Sequence, residues 1–109
     1  MQYYLSRIFY SKQEYDKSAA HITKALLKDK DFFNYYLLGE IYFKQKKNAE
    51  AMKAFKSAQK LDPTHGDVHY YIGAVYHRSG DRALGCEMYQ KAKKLGASDM
   101  DGVIETECK

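Results

Sequence analysis

Apolar and small residues stand three or four places apart along the chain, in blocks separated by short polar breaks, which is the spacing of one face of a helix. In the middle of the chain Tyr35, Leu38, Gly39 and Tyr42 lead on to Ala51, Phe55 and Ala58 in this way. The pattern predicts helices over 2–11, 14–28, 32–46, 49–61, 66–79, 82–95 and 99–108. Punctuation agrees: Asp62-Pro63 stops a helix because the residue before proline leaves the helical region, Ser79-Gly80-Asp81 marks a turn, and Leu95-Gly96 is a glycine helix end. Ser98, with Asp101 three residues on, reads as the N-cap of the last helix. That helix sets Met100, Val103, Ile104 and Cys108 on one side and acids on the other. One proline and seven glycines leave little room for a turn-rich β design.

The chain also repeats itself, and such a period decides the architecture before any local reading. Displaced by 34 residues, Tyr36 falls on Tyr70, Gly39 on Gly73, Tyr42 on Tyr76, Ala58 on Ala92 and Leu61 on Leu95. Phe55 falls on Tyr89 and Ile41 on Val75. Leu5, Ser6 and Phe9, then Ser18, Ile22 and Ala25, follow the same pattern more loosely at an offset of 33.

Tyr35, Leu38, Gly39, Tyr42, Ala51, Phe55, Ala58 and Pro63 stand in the order large-x-x-Leu-Gly-x-x-Tyr, Ala-x-x-x-Phe, Pro, and this resembles the tetratricopeptide repeat, with tyrosine in place of the usual tryptophan. His69, Ile72, Gly73, Tyr76, Gly85, Tyr89 and Ala92 make a second copy, with Ala97 at the proline place. The resemblance implies an all-α, right-handed α-α superhelix of antiparallel helical hairpins. Residues 1–109 would form one domain: repeats at 1–31, 32–65 and 66–97, and a capping helix at 98–109. Gly39 and Gly73 would admit the large side chain of the partner helix, and the amphipathic tail would cover the apolar end of the stack.

The family's function is carried by the concave face of the first helices, which receives a peptide segment or helix of a partner protein. By resemblance that groove comprises Tyr3 and Arg7, then Phe33, Tyr36, Glu40, Phe43 and Lys44, then Tyr70, Ala74, His77 and Arg78. Tyr3, Tyr36 and Tyr70 share one place in the repeat and either grip a ligand or rim the groove from between the helices. Lys44 and Arg78 give it a basic edge, which suits apolar or proline-rich segments carrying some acids. Chaperone-binding members clamp a C-terminal carboxylate with lysine, asparagine and arginine. The matching places here hold Tyr3 and Arg7, Leu37, and Asp67 and Tyr71, so chaperone tails are not expected ligands.

Charge and candidate chemistry change this picture little. The net charge is +4, and the lysines at 44, 46, 47, 53, 56 and 60 read as a solvated helix face. Arginine is confined to Arg7, Arg78 and Arg82, against nucleic-acid reading. His65, His69 and His77 lack companions at metal-ligand spacing, and no nucleophile–base pairing or phosphate loop stands out. No cofactor and no enzymatic activity are expected. No apolar run reaches bilayer length and Met1 to Tyr10 does not read as a signal peptide, so no membrane insertion is expected. The compartment stays open, an extracytoplasmic one included if a leader was removed. Cys86 and Cys108 are either two buried thiols or a disulfide that closes the cap in an oxidising compartment. Their layout around Leu95-Gly96 resembles the ends of some bacterial tetratricopeptide proteins. The partner is expected to be a protein or peptide of unknown identity, bound by a monomer or weakly self-associating chain. The alternative is a structural or self-assembling scaffold, or a fragment of a longer solenoid.

Overall fold

The computed structural model describes residues 1–108; Lys109, which the sequence puts in the capping segment, lies outside them. Among the described residues the elements are α1 (Gln2–Ser11), α2 (Tyr15–Lys28), α3 (Phe32–Lys44), α4 (Asn48–Leu61), α5 (Gly66–Arg78), α6 (Arg82–Lys94) and α7 (Met100–Glu107). Each lies within two residues of its expected bounds. Asp31 and Asp81 cap α3 and α6, accepting hydrogen bonds from the backbone N–H of Asn34 (2.9 Å) and Leu84 (3.1 Å), contacts worth about 1 kcal/mol each.

One expected cap is corrected. Ser98 does not open the last helix; α7 starts after Asp99, which adopts a left-handed conformation (φ 61°) and makes no side-chain cap. The chain first reverses at Gly96 (φ 91°), with the Ala97 N–H bonded to the Ala92 carbonyl at 3.0 Å. The second reversal, at Asp99, turns Met100 into a buried position against Tyr89 and Ala92. Burial of Met100 sets the helix start.

The turns inside the hairpins are alike in backbone and unlike in sequence. Gln13 (φ 62°), Lys46 (φ 62°) and Gly80 (φ 95°) are left-handed at spacings of 33 and 34. After each, an N–H reaches back five residues, Glu14 to Phe9, Lys47 to Tyr42 and Asp81 to Tyr76, all at 2.9 Å. These are Schellman ends, and glycine is the residue that enters them without strain.

Helices α1 and α2, α3 and α4, and α5 and α6 pack as hairpins joined by short turns. Small residues stand at each crossing. A methyl at Gly39 would lie 2.5 Å from Phe55 Cε1, and one at Gly73 would lie 2.8 Å from the Gly85 carbonyl oxygen. In the α1–α2 hairpin the matching places hold buried Ser6 and Ser18, each donating its hydroxyl to the other's carbonyl at 2.7 Å.

Helix α1 touches α3 and α3 touches α5, whereas α2 and α4, and α4 and α6, make no such contact among the described residues. The first helices therefore form an inner layer and the second helices an outer one, and the stack, 41 × 24 × 21 Å, is concave on the side of α1, α3 and α5. Helix α7 packs against α6 as α3 packs against α2 and α5 against α4, taking the place of a further first helix. A disulfide between Cys86 and Cys108 (Cα–Cα 5.7 Å) ties α7 to α6.

Candidate functional site on the concave surface

The centre of the inner layer is a set of aromatic rings. Tyr36 on α3 stands 5.6 Å from Phe32, 5.3 Å from His65 and 5.9 Å from Tyr71, ring centre to ring centre. Tyr71 on α5 is the hub: it stacks on buried Phe55 at 5.0 Å and meets Phe43 at 5.6 Å and Tyr70 at 5.2 Å. Its hydroxyl donates to Glu40 Oε2 at 3.4 Å. Burial raises the Tyr36 and Tyr71 hydroxyls above the usual phenol range, with the Glu40 charge adding to it.

Glu40 lies half-buried among these rings. Burial pushes its carboxyl above the usual carboxylate range, opposed in part by the Tyr71 hydroxyl and the Arg7 charge. Among the described residues it has no ion pair within 4.0 Å. Tyr10 on α1 faces the same carboxylate; burial first, then Glu40, pushes its hydroxyl up to about 12.

The structure brings part of the expected groove together. Tyr36, Glu40 and Phe43 meet around Tyr71. Lys44 is exposed beside them, and its charge reaches Glu40. Arg78 lies with its guanidinium 3.7 Å over the Phe43 ring and donates Nη1–H to the Phe43 carbonyl at 2.7 Å, fastening α5 to the end of α3. Tyr3 and Arg7 pair on α1 at 3.5 Å. Tyr70 stacks on Tyr89 and, with Ala74, packs on the cluster of Tyr89, Ala92 and Met100 that Val103 and Ile104 also join, while His77 Nε2 faces Glu107 Oε2 at 3.2 Å. These three residues thus serve the seat of α7. Phe33 is 59% exposed at the far edge, in a cleft of about 650 Å³ with Met1, Tyr4 and Leu27.

Tyr71 and Tyr10 are the residues that the sequence alone does not single out. Tyr71 repeats the place of buried Leu37, an ordinary core position. The available signal was its hydroxyl, since a phenol at a core place needs a partner, and Glu40 stands one helical turn from Leu37.

The sequence model described as "TPR repeat" matches residues 39–80. Anaphase-promoting complex subunit 3 of Schizosaccharomyces pombe is 30% identical over 86 residues, covering 78% of this chain and 13% of that protein, so the chain spans a small part of that relative's length. The Yersinia enterocolitica type III secretion chaperone SycD, in complex with a peptide of the translocator YopD, superposes with a TM-score of 0.90 at 14% identity, over 98% of this chain and 89% of that one. The first TPR of Spaghetti, bound to the HSP90 peptide SRMEEVD, gives 0.91 at 15% identity, over 98% and 87%. Identities this low speak for the fold alone. The Gly39–Phe55 crossing falls inside the stretch that the repeat model matches, and the chain belongs to the tetratricopeptide repeat proteins, as an all-α helical repeat solenoid.

Proposed function

We propose that the chain is a protein-interaction module that takes a peptide segment or helix of a partner protein on its concave surface. The observation that carries this reading is the partly exposed aromatic floor of Tyr36, Phe43 and Tyr71, one continuous set of ring contacts spanning α3 and α5. Tyrosine offers wide contact area, small entropic loss and a hydroxyl for a peptide backbone. The solved neighbours that carry peptides support the reading at the level of the fold. Residues 1–31, 32–65 and 66–97 act as the repeats and 98–109 as the closing segment, and the role is binding rather than catalysis.

The test is selection of a displayed library of random peptides on the full chain. Tyr36→Ala, checked for folding by circular dichroism, should weaken a selected peptide by about 2 kcal/mol if the ring is a central anchor. Lys44→Ala should mainly alter salt dependence and association rate. Peptides that bind both variants as tightly as the natural chain refute the concave site.

A second reading is favoured by the open side of α1. Tyr4 (68% exposed) and Ile8 (50% exposed) stand at the repeat places that Leu37 and Ile41 fill, and those two are buried against Ile22. An apolar face at this place suits another hairpin, so the alternative is a self-assembling or longer stack. Sedimentation across a concentration series tests it: a mass that stays at one chain rules out self-assembly through this face.

A further inference from the structure

We propose that the ligand of the concave surface is a basic segment, with a lysine or arginine side chain seated against Glu40 beside the rings of Tyr36 and Tyr71. The inference rests on the peptide-binding reading above and names its chemistry. Glu40 comes from the middle helix of the inner layer, and Arg7 of α1, Lys44 of α3 and Asp67 of α5 are the charged groups around it, with the Tyr10, Tyr36 and Tyr71 hydroxyls. Neither cation closes on it to ion-pair distance. Arg7 is turned to the Tyr3 hydroxyl, and the hydrogen bond from Tyr71 is long at 3.4 Å. A half-buried carboxylate with acceptor capacity left over favours a charged donor from outside.

The rings favour the same partner. Tyr36 and Tyr71 touch edge to face, 5.9 Å apart at 67°, and both remain partly exposed beside Glu40. An aromatic face attracts a cation most strongly where water is partly excluded. The surface already holds one cation in this way, since the Arg78 guanidinium rests 3.7 Å over Phe43, the next ring along from Tyr71. Alongside, a cleft of about 340 Å³ between Tyr36, Tyr70 and Met100 presents Asp67 and Asp99, neither ion-paired within 4.0 Å among the described residues. Of the basic edge expected to draw acids, Arg78 is engaged with Phe43, which leaves exposed Lys44 against the carboxylates of Glu40, Asp67 and Asp99. Charge complementarity therefore points to a basic rather than an acidic peptide.

The experiment extends the selection to Glu40→Gln, which keeps the side-chain shape and an acceptor for Tyr71. Peptides selected on the natural chain should carry lysine or arginine at one recurring position. A synthetic representative should bind the natural chain at least tenfold more tightly than it binds E40Q, and tenfold more tightly than its own copy with glutamine at that position. Selected peptides without a recurring basic residue, or basic peptides that bind E40Q equally well, overturn this inference and leave the concave reading standing, provided that Tyr36→Ala weakens them. Binding indifferent to Tyr36→Ala, or no selected peptide at all, overturns the concave reading and this inference with it.

Discussion

Replacing Gly39 by alanine sets one methyl group against one ring. The added carbon would lie 2.5, 2.6 and 2.9 Å from Cε1, Cδ1 and Cγ of Phe55, well inside the roughly 3.5–4.0 Å at which carbon pairs rest. The ring cannot swing away, being fully buried, stacked on Tyr71 at 5.0 Å and bordered by Tyr36 at 6.2 Å. Relief requires α3 and α4 to part. Overpacking of this kind costs about 1–3 kcal/mol, and the absence of a yielding side chain puts this site in the upper half of that range. Alanine returns about 1 kcal/mol as the better helix former. The net loss is then about 1–2 kcal/mol, a fall in Tm of about 4–8 °C for a chain near 100 residues. Gly102→Ala in α7 is the matched control: nothing lies within 4 Å of its added methyl, so stability should rise by about 0.5–1 kcal/mol. Urea and thermal unfolding of both variants, and a double-mutant cycle of Gly39→Ala with Phe55→Leu, decide the matter. A Gly39→Ala chain as stable as the natural one refutes the packing argument. So does additivity with Phe55→Leu within about 0.5 kcal/mol, the scatter of independent sites.

Lys46→Gly and Gln13→Gly should each stabilise by about 0.5–1 kcal/mol in chemical unfolding, because both residues hold a left-handed conformation that costs a side chain about 1–2 kcal/mol and glycine loses part of that gain to backbone entropy. Glu40→Gln should stabilise the chain at neutral pH. Burial raises the Glu40 carboxyl in the folded state from its ordinary 4.5, so the natural chain loses stability as pH climbs from there through the raised value, and the advantage of the amide should shrink as pH falls through that window and vanish below the ordinary value. Urea midpoints of the two chains that run parallel across the acid range would refute that assignment. Reduction, or Cys86→Ser with Cys108→Ser, should cost about 3 kcal/mol for a 22-residue separation. The loss should appear as faster amide hydrogen exchange in α7, with α1 to α4 little changed.

Helix positions were legible because punctuation and periodicity coincide. The offset of 33 between the first two copies has a plain origin: three residues separate α2 from α3, whereas four, Asp62 to His65, separate α4 from α5. What stayed hidden depended on backbone and side-chain direction. Asp99 takes the left-handed turn that moves the last helix start past Ser98, and no composition rule foretells an aspartate there. In the candidate site, repeat spacing aligns Tyr36 with Tyr70, whereas the ring that joins α3, α4 and α5 is that of Tyr71. The Arg78 guanidinium could equally have reached solvent; that it lies on Phe43 is a rotamer choice that spacing does not record.

The three hairpin crossings differ in chemistry, and this gives a self-similar chain a means of telling its own parts apart. Ser6 and Ser18 satisfy each other's hydroxyl and carbonyl groups inside a dry contact. Gly39 accepts the ring of Phe55 and Gly73 that of Tyr89, and Gly73 and Gly85 also bring backbone to backbone. Were α1 to pair with α4 during folding, the Ser6 hydroxyl would face the Phe55 ring and lose its acceptor, and a buried polar group left unpaired costs about 1–3 kcal/mol. Were α3 to pair with α2, Gly39 would meet Ser18 and Ile22 and leave a void where the ring belongs. Helix α1 thus carries an address that α2 reads and α4 does not, and α3 one that α2 does not read. Sequences that repeat risk exchanging equivalent segments within or between chains, and here the safeguard lies in a serine crossing set beside glycine–aromatic ones behind one common outline.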